Sequence, residues 1–140
     1  MIFAWVLNAL GLGFGVILGV RALIDPRWAA KLVRLKEDEQ GGGFAEFRAT
    51  YGGLFAASHG VALLLTLGWL GQGEYMIGVA AIGAAAVLAA AWGGTAVGRV
   101  VSMWRDGTDT KFNRLSVGVE VAVAFCIAAP WLAWLLFPPA

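Results

Sequence analysis

Four long apolar runs dominate the chain: Ile2 to Ile24, Phe47 to Leu70, Tyr75 to Ser102 and Ser116 to Phe137. Each reaches or exceeds the roughly 20 residues a helix needs to cross about 30 Å of hydrocarbon. Between the first two lies a short amphipathic stretch. Asp25-Pro26 reads as an N-cap followed by proline at the first helical position, opening a helix over 26–37. Trp28, Leu32 and Leu35 then share one side, with Arg27, Lys31 and Arg34 beside them. Such a helix suits a membrane surface, its apolar side chains dipping in and its cations against anionic headgroups. Glu37-Asp38-Glu39 adds a negative end, and Gly41-Gly42-Gly43 a flexible joint. The few residues between the second and third runs make those helices antiparallel neighbours, whereas Arg105 to Arg114 is polar and rich in turn residues. The expected fold is all-α, a polytopic membrane four-helix bundle with a short cytoplasmic interfacial helix. It forms a single domain over 1–140, with membrane helices at 2–24, 47–70, 75–102 and 116–137.

Composition supports the membrane reading: 60% of residues are hydrophobic and the mean hydropathy is +0.78, against roughly 45–50% apolar residues in soluble domains. Met1 leads directly into apolar residues and the basic ones come later, so the first helix is expected to be retained. The single cysteine, Cys126, excludes an internal disulfide or CxxC site.

Charge distribution says more than the net charge of +1. All ten Lys and Arg lie around the first connector (Arg21, Arg27, Lys31, Arg34, Lys36, Arg48) or the third (Arg99, Arg105, Lys111, Arg114). The positive-inside rule places both connectors in the cytoplasm and both termini outside. Trp5, Trp69, Tyr75, Trp131 and Trp134 then mark the outer interface, and Trp28 and Trp104 the inner one.

Four charged residues sit inside the apolar runs: Arg21, Arg48, Arg99 and Glu120. Helical side chains lean toward their own N-terminus, so Arg21 and Arg99, near the C-terminal ends of their helices, lean into the membrane. Glu120, near the start of the fourth, leans toward the cytoplasm about 25 Å from the outer edge, at about 1.5 Å per residue. Arg99 and Glu120 are drawn to one depth and form the preferred pair, with Arg21 in reserve. At about 100° per residue, Arg48, Gly52, Phe55 and His59 fall on one helical stripe. Facing the bundle interior, that stripe gives a cationic mouth, a small-residue throat at Gly52 and a histidine below. Gly11, Gly15 and Gly19 of the first run make a seam for close helix approach, to this chain or a second copy.

Glu46-Phe-Arg-Ala-Thr-Tyr-Gly-Gly53, Gly98-Arg99 followed by Asp106-Gly107, Glu120, and Pro26 after the first helix together resemble the pattern of small bacterial four-helix membrane proteins grouped as domain of unknown function 4345. The resemblance spans nearly the whole chain. It implies the fold and marks Arg48, Tyr51, Gly52, Gly53, Arg99 and Glu120, but brings no activity or cofactor; His59 lies outside the pattern. A looser likeness to DoxX-type membrane proteins implies a shared bundle and, by analogy alone, a link to electron transfer.

The candidate polar cluster is therefore Arg21, Arg48, Tyr51, Gly52, His59, Arg99 and Glu120. It reads either as a structural clasp or as a site for an anionic headgroup, since Arg21, Arg48, Arg99 and Glu120 sum to about +2. An enzyme needs a nucleophile with a base, a metal cluster or a cofactor motif. None is visible: Ser58 and His59 point about 100° apart on a helix, and one histidine excludes bis-histidine haem within the chain. No cofactor, metal or nucleic acid is expected. The reading is a non-enzymatic multi-pass protein of the bacterial inner membrane that binds lipid or a small amphiphile, or serves as an accessory subunit. The alternative is a small transporter or channel for an anionic or amphipathic solute, acting as an oligomer. Membrane lipids are the expected partners; a homo-oligomer and a larger membrane complex both fit.

The topology is tested with single cysteines on a Cys126→Ser background and an impermeant maleimide. Position 73 should label from outside intact cells and position 109 should not. The reverse labelling contradicts the assignment.

Overall fold

The computed structural model describes residues 2–36 and 42–136. They form helices and connectors, with no strand among the described residues: α1 (Ile2–Ile24), α2 (Pro26–Val33), α3 (Gly42–Glu46), a π-helical segment (Phe47–Leu54), α4 (Phe55–Gln72), α5 (Tyr75–Arg105) and α6 (Lys111–Leu136). Four stretches are long and apolar enough to cross a membrane: Ile2–Ile24, Gly42–Gln72, Tyr75–Arg105 and Lys111–Leu136. They contain the four apolar runs, except Phe137, which lies outside the described residues, and they extend past them at polar ends. An apolar run measures the length suited to hydrocarbon; a helix continues until its backbone groups find other partners.

Two compact units divide the chain, Met1–Gly11 with Leu65–Ala140, and Leu12–Leu64, so the division falls inside α1 and α4. In the first unit α5 packs along α6. Small residues permit this: Ala81 and Ala85 are fully buried, as is Ile127, and close backbone approach is how helices associate where lipid removes the hydrophobic drive between them. Trp5 and Trp69 meet in a tilted arrangement at 5.7 Å between ring centroids, and Gly78 lies under the Trp69 indole, where a Cβ would stand 3.0 Å from the ring. A Cβ on Gly11 would meet the Ile127 side chain at 2.9 Å, with Cys126 alongside.

In the second unit the glycine seam of α1 is used within the chain. A Cβ on Gly15 would enter the His59 imidazole, and one on Gly19 the backbone nitrogen of Ala56. Such overpacking costs about 1–3 kcal/mol. α2 docks through Ala29 and Ala30, buried with Ala22 and Phe47 and flanked by Trp28, Val33, Phe44 and Tyr51. Leu32 and Leu35, on another side of the α2 stretch, remain exposed.

Local chemistry explains where the elements begin and end. The Asp25 carboxylate accepts from the Trp28 amide at 3.1 Å, and Pro26 stands at the first turn, so α2 starts as the sequence indicates. It stops at Val33, short of the expected Glu37, because Arg34 turns left-handed at φ 62° and its amide returns to the Ala30 carbonyl. Glu37, Asp38, Glu39 and Gly41 lie outside the described residues. Gly42 and Gly43 belong to the first turn of α3 instead of forming a joint. α5 runs to Arg105 instead of Ser102, and α6 starts at Lys111 instead of Ser116. The Thr110 hydroxyl there accepts from the Asn113 amide at 3.2 Å and caps α6. The connector 106–110 turns at Gly107, φ 66°, where a left-handed backbone favours glycine.

Candidate functional site

Arg99 and Glu120 meet in the first unit. The Arg99 Nη2 lies 2.6 Å from Glu120 Oε1, and Nε donates to both carboxylate oxygens at 3.1 and 3.2 Å. Glu120 is 7% exposed, which takes its charge out of solvent and makes the forked geometry matter. A second layer holds the fork. Arg99 Nη1 donates to Asn113 Oδ1 at 3.4 Å, Asn113 Nδ2 donates to the Thr108 carbonyl at 2.7 Å, and the Thr108 and Ser102 hydroxyls pair at 3.1 Å. The 106–110 turn is thereby tied to the helices on either side. At its edge Arg114 binds Asp109 at 2.6 Å and holds that carboxyl below the usual aspartate range by hydrogen bonding. Both side chains are exposed, so this pair orders the turn more than it stabilises the fold.

The remaining expected site residues belong to the second unit. The Arg21 guanidinium lies 5.5 Å from the centre of the Trp28 ring. Arg48 donates from Nε to the Leu23 carbonyl at 3.1 Å, which binds the π-helical segment to the end of α1. Tyr51 lies against Phe47, the rings tilted and their centroids 5.8 Å apart. Gly52 is no throat: a Cβ there would stand 2.8 Å from the Leu23 side chain, so the glycine admits α1. The stripe of Arg48, Gly52, Phe55 and His59 is also altered, because its first half is π-helical. A π-helix bonds each residue to the fifth along, not the fourth, and breaks the register assumed for an α-helix. Gly52 and His59 are buried, Phe55 is half-buried and Arg48 is exposed.

His59 stacks on Phe55 at 5.1 Å, and its Nδ1 lies 2.9 Å from the Phe55 carbonyl. A carbonyl only accepts, so Nδ1 carries the proton. The Ser58 hydroxyl, 3.4 Å from the same nitrogen, donates instead to the Leu54 carbonyl at 2.6 Å. Nδ1 therefore has no lone pair with which to take a serine proton, and no nucleophile and base pair forms there. Among the described residues no group of His, Cys, Asp or Glu could hold a metal.

A pocket of about 300 Å³ opens in the second unit, lined by Ile24, Asp25, Pro26, Arg27, Phe44 and Arg48. The Arg27 guanidinium lies 5.7 Å from the Phe44 ring centre. Arg27, Asp25 and Phe44 were absent from the expected cluster. Their signal was the cap at Asp25-Pro26 with a basic residue directly after it.

The first unit holds a second polar group that the expected cluster lacks. Asn8 and Thr66 are completely buried. Asn8 Nδ2 donates to the Ile127 carbonyl at 2.6 Å, and Thr66 donates to Asn8 Oδ1 at 2.7 Å. Pro130, inside α6, cannot donate to the Cys126 carbonyl and disturbs the turn in which Ile127 lies. An asparagine inside the first apolar run and a proline inside the fourth were the readable signs.

Removing either member of the Arg99–Glu120 pair leaves the other charge, buried for Glu120 and partly buried for Arg99, without its partner, at a cost of about 1–3 kcal/mol. In thermal-shift measurements Arg99→Leu and Glu120→Leu should each destabilise, and the double variant should lose less than their sum. Plain additivity contradicts the pairing.

No family model matches the chain, and no similar protein was found among curated sequences or solved structures.

Proposed function

We propose that this chain is a non-enzymatic, multi-pass protein of the bacterial inner membrane, with both termini external, that binds the headgroup phosphate of a lipid or small amphiphile. The pocket beside Arg27 and Arg48 is the site. One observation carries this reading: two guanidinium groups line one pocket, and among the described residues neither forms an ion pair. Among the described residues their contacts are a ring face for Arg27 and a carbonyl for Arg48, neither of which carries a negative charge, and the Asp25 carboxylate that shares the lining forms no ion pair with them. Guanidinium groups that retain free N–H donors suit a phosphate, which presents several acceptor oxygens. A pocket of about 300 Å³ is at the small end for ligands, sized for a headgroup whose acyl chains lie elsewhere.

Four apolar helices support the membrane setting, and the clustering of every Lys and Arg around two connectors supports the orientation. Exposed Lys31 and Arg34 on the α2 stretch would gather anionic lipid near the pocket. The Arg99–Glu120 pair has a different role in this account, as a clasp whose charges satisfy each other. The resemblance to domain of unknown function 4345 belongs to the same proposal, with Arg48 as its ligand-facing position.

Native mass spectrometry of protein released from nanodiscs tests the site by comparing retention of phosphatidylglycerol and phosphatidylcholine. Arg27→Gln and Arg48→Gln should each reduce the phosphatidylglycerol preference about fivefold or less, the range of an exposed ion pair. The surface double variant Lys31→Gln, Arg34→Gln should keep most of it. Full preference in both pocket variants, with loss in the surface double, contradicts the site.

A further inference from the structure

The pocket contains a carboxylate as well as two guanidinium groups. Asp25 lines it with Arg27 and Arg48, and among the described residues Asp25 forms no ion pair with either. Its Oδ1 is occupied by the Trp28 amide, which anchors the carboxylate at the start of α2. Two cations and one anion therefore stand around the same space, held apart by separate attachments: the Phe44 ring for Arg27, the Leu23 carbonyl for Arg48 and the helix cap for Asp25.

Separated charges of this kind complement a ligand with the opposite separation, an anionic phosphate joined by a short linker to a cationic donor. A primary ammonium can give N–H bonds to a carboxylate; a trimethylammonium has none to give. A quaternary nitrogen is instead recognised by several aromatic faces together. This pocket offers one aromatic residue, Phe44, and Arg27 already lies against its ring. An uncharged glycerol head could also donate to Asp25, but only a cationic donor adds charge attraction to the hydrogen bond.

We propose that the pocket selects a phosphoethanolamine group, its phosphate on Arg27 and Arg48 and its primary ammonium on Asp25. This rests on the phosphate-binding reading above and adds the donor that Asp25 requires. The group occurs in a phospholipid headgroup and in a soluble phosphate ester, and both share the chemistry the pocket reads.

The test is retention, by native mass spectrometry, from nanodiscs holding equal amounts of phosphatidylethanolamine, its N-methyl and N,N-dimethyl forms, and phosphatidylcholine. Along this series each N–H donor is replaced in turn by a methyl group while the single positive charge is kept. Wild type should retain them in falling order, with the extremes differing about fivefold, as one exposed ion pair allows. Asp25→Asn removes the charge while asparagine still caps the helix, and it should flatten the series. A flat series in wild type, or an unchanged gradient in Asp25→Asn, overturns the proposal. Either can occur while Arg48→Gln still reduces phosphatidylglycerol retention, which separates this failure from failure of the phosphate reading. Competition with soluble O-phosphoethanolamine and O-phosphocholine distinguishes the sources. Selective displacement by the first supports the headgroup alone as sufficient. No displacement by either, with the gradient intact, supports the lipid as ligand. Equal displacement by both contradicts selection by Asp25.

Discussion

Polar groups carried into an apolar chain must find partners within the protein, and this constraint organises both units. Asn8 and Thr66, fully buried, satisfy each other and the Ile127 carbonyl. Glu120 accepts the fork of Arg99, and Asn113 fastens that fork to the 106–110 turn. Among the described residues no buried side-chain nitrogen or oxygen lacks a hydrogen-bond partner. Each bond between membrane helices is modest, about 0.6 kcal/mol on average. Their larger effect is to make alternative pairings unfavourable, because a slipped helix would strand a charge or an amide.

Against that background, Arg27 and Arg48 differ from Arg99. Arg99 spends its charge on a buried carboxylate; Arg27 and Arg48 touch a ring and a carbonyl beside an open pocket. The proposed distinction between clasp and site rests on what each guanidinium faces, not on its depth in the sequence pattern. The π-helical segment contributes to this placement. It carries Arg48 toward the end of α1 while Gly52 lets Leu23 approach, and such widened turns recur at functional positions.

Much of the architecture was legible in the sequence. Run length located the four long helices, Asp25-Pro26 opened α2, and the opposed leans of Arg99 and Glu120 indicated their pairing. Other features were not readable by those means. Regular periodicity assumes an α-helix, so nothing in Arg48 to His59 announced a π-helix. Nothing in the composition around Arg34 marks a residue able to turn left-handed at the end of α2. Hydropathy treats Asn8 and Thr66 as small interruptions, although their burial makes them central to the first unit. The pocket was missed because its residues come from a cap, a neighbouring arginine and a phenylalanine, which share no periodic pattern.

A phosphate held by Arg27 and Arg48 beside α2 is the proposed function of the pocket they line. A phosphatidylglycerol analogue with a photoactivated group on its head, cross-linked in the membrane and mapped by peptide mass spectrometry, tests it most directly. Adducts should concentrate on residues 24–27 and 44–48 and fall sharply in Arg48→Gln. Adducts concentrated around Arg99 and Glu120, or spread evenly along the exposed helix faces, would contradict the account.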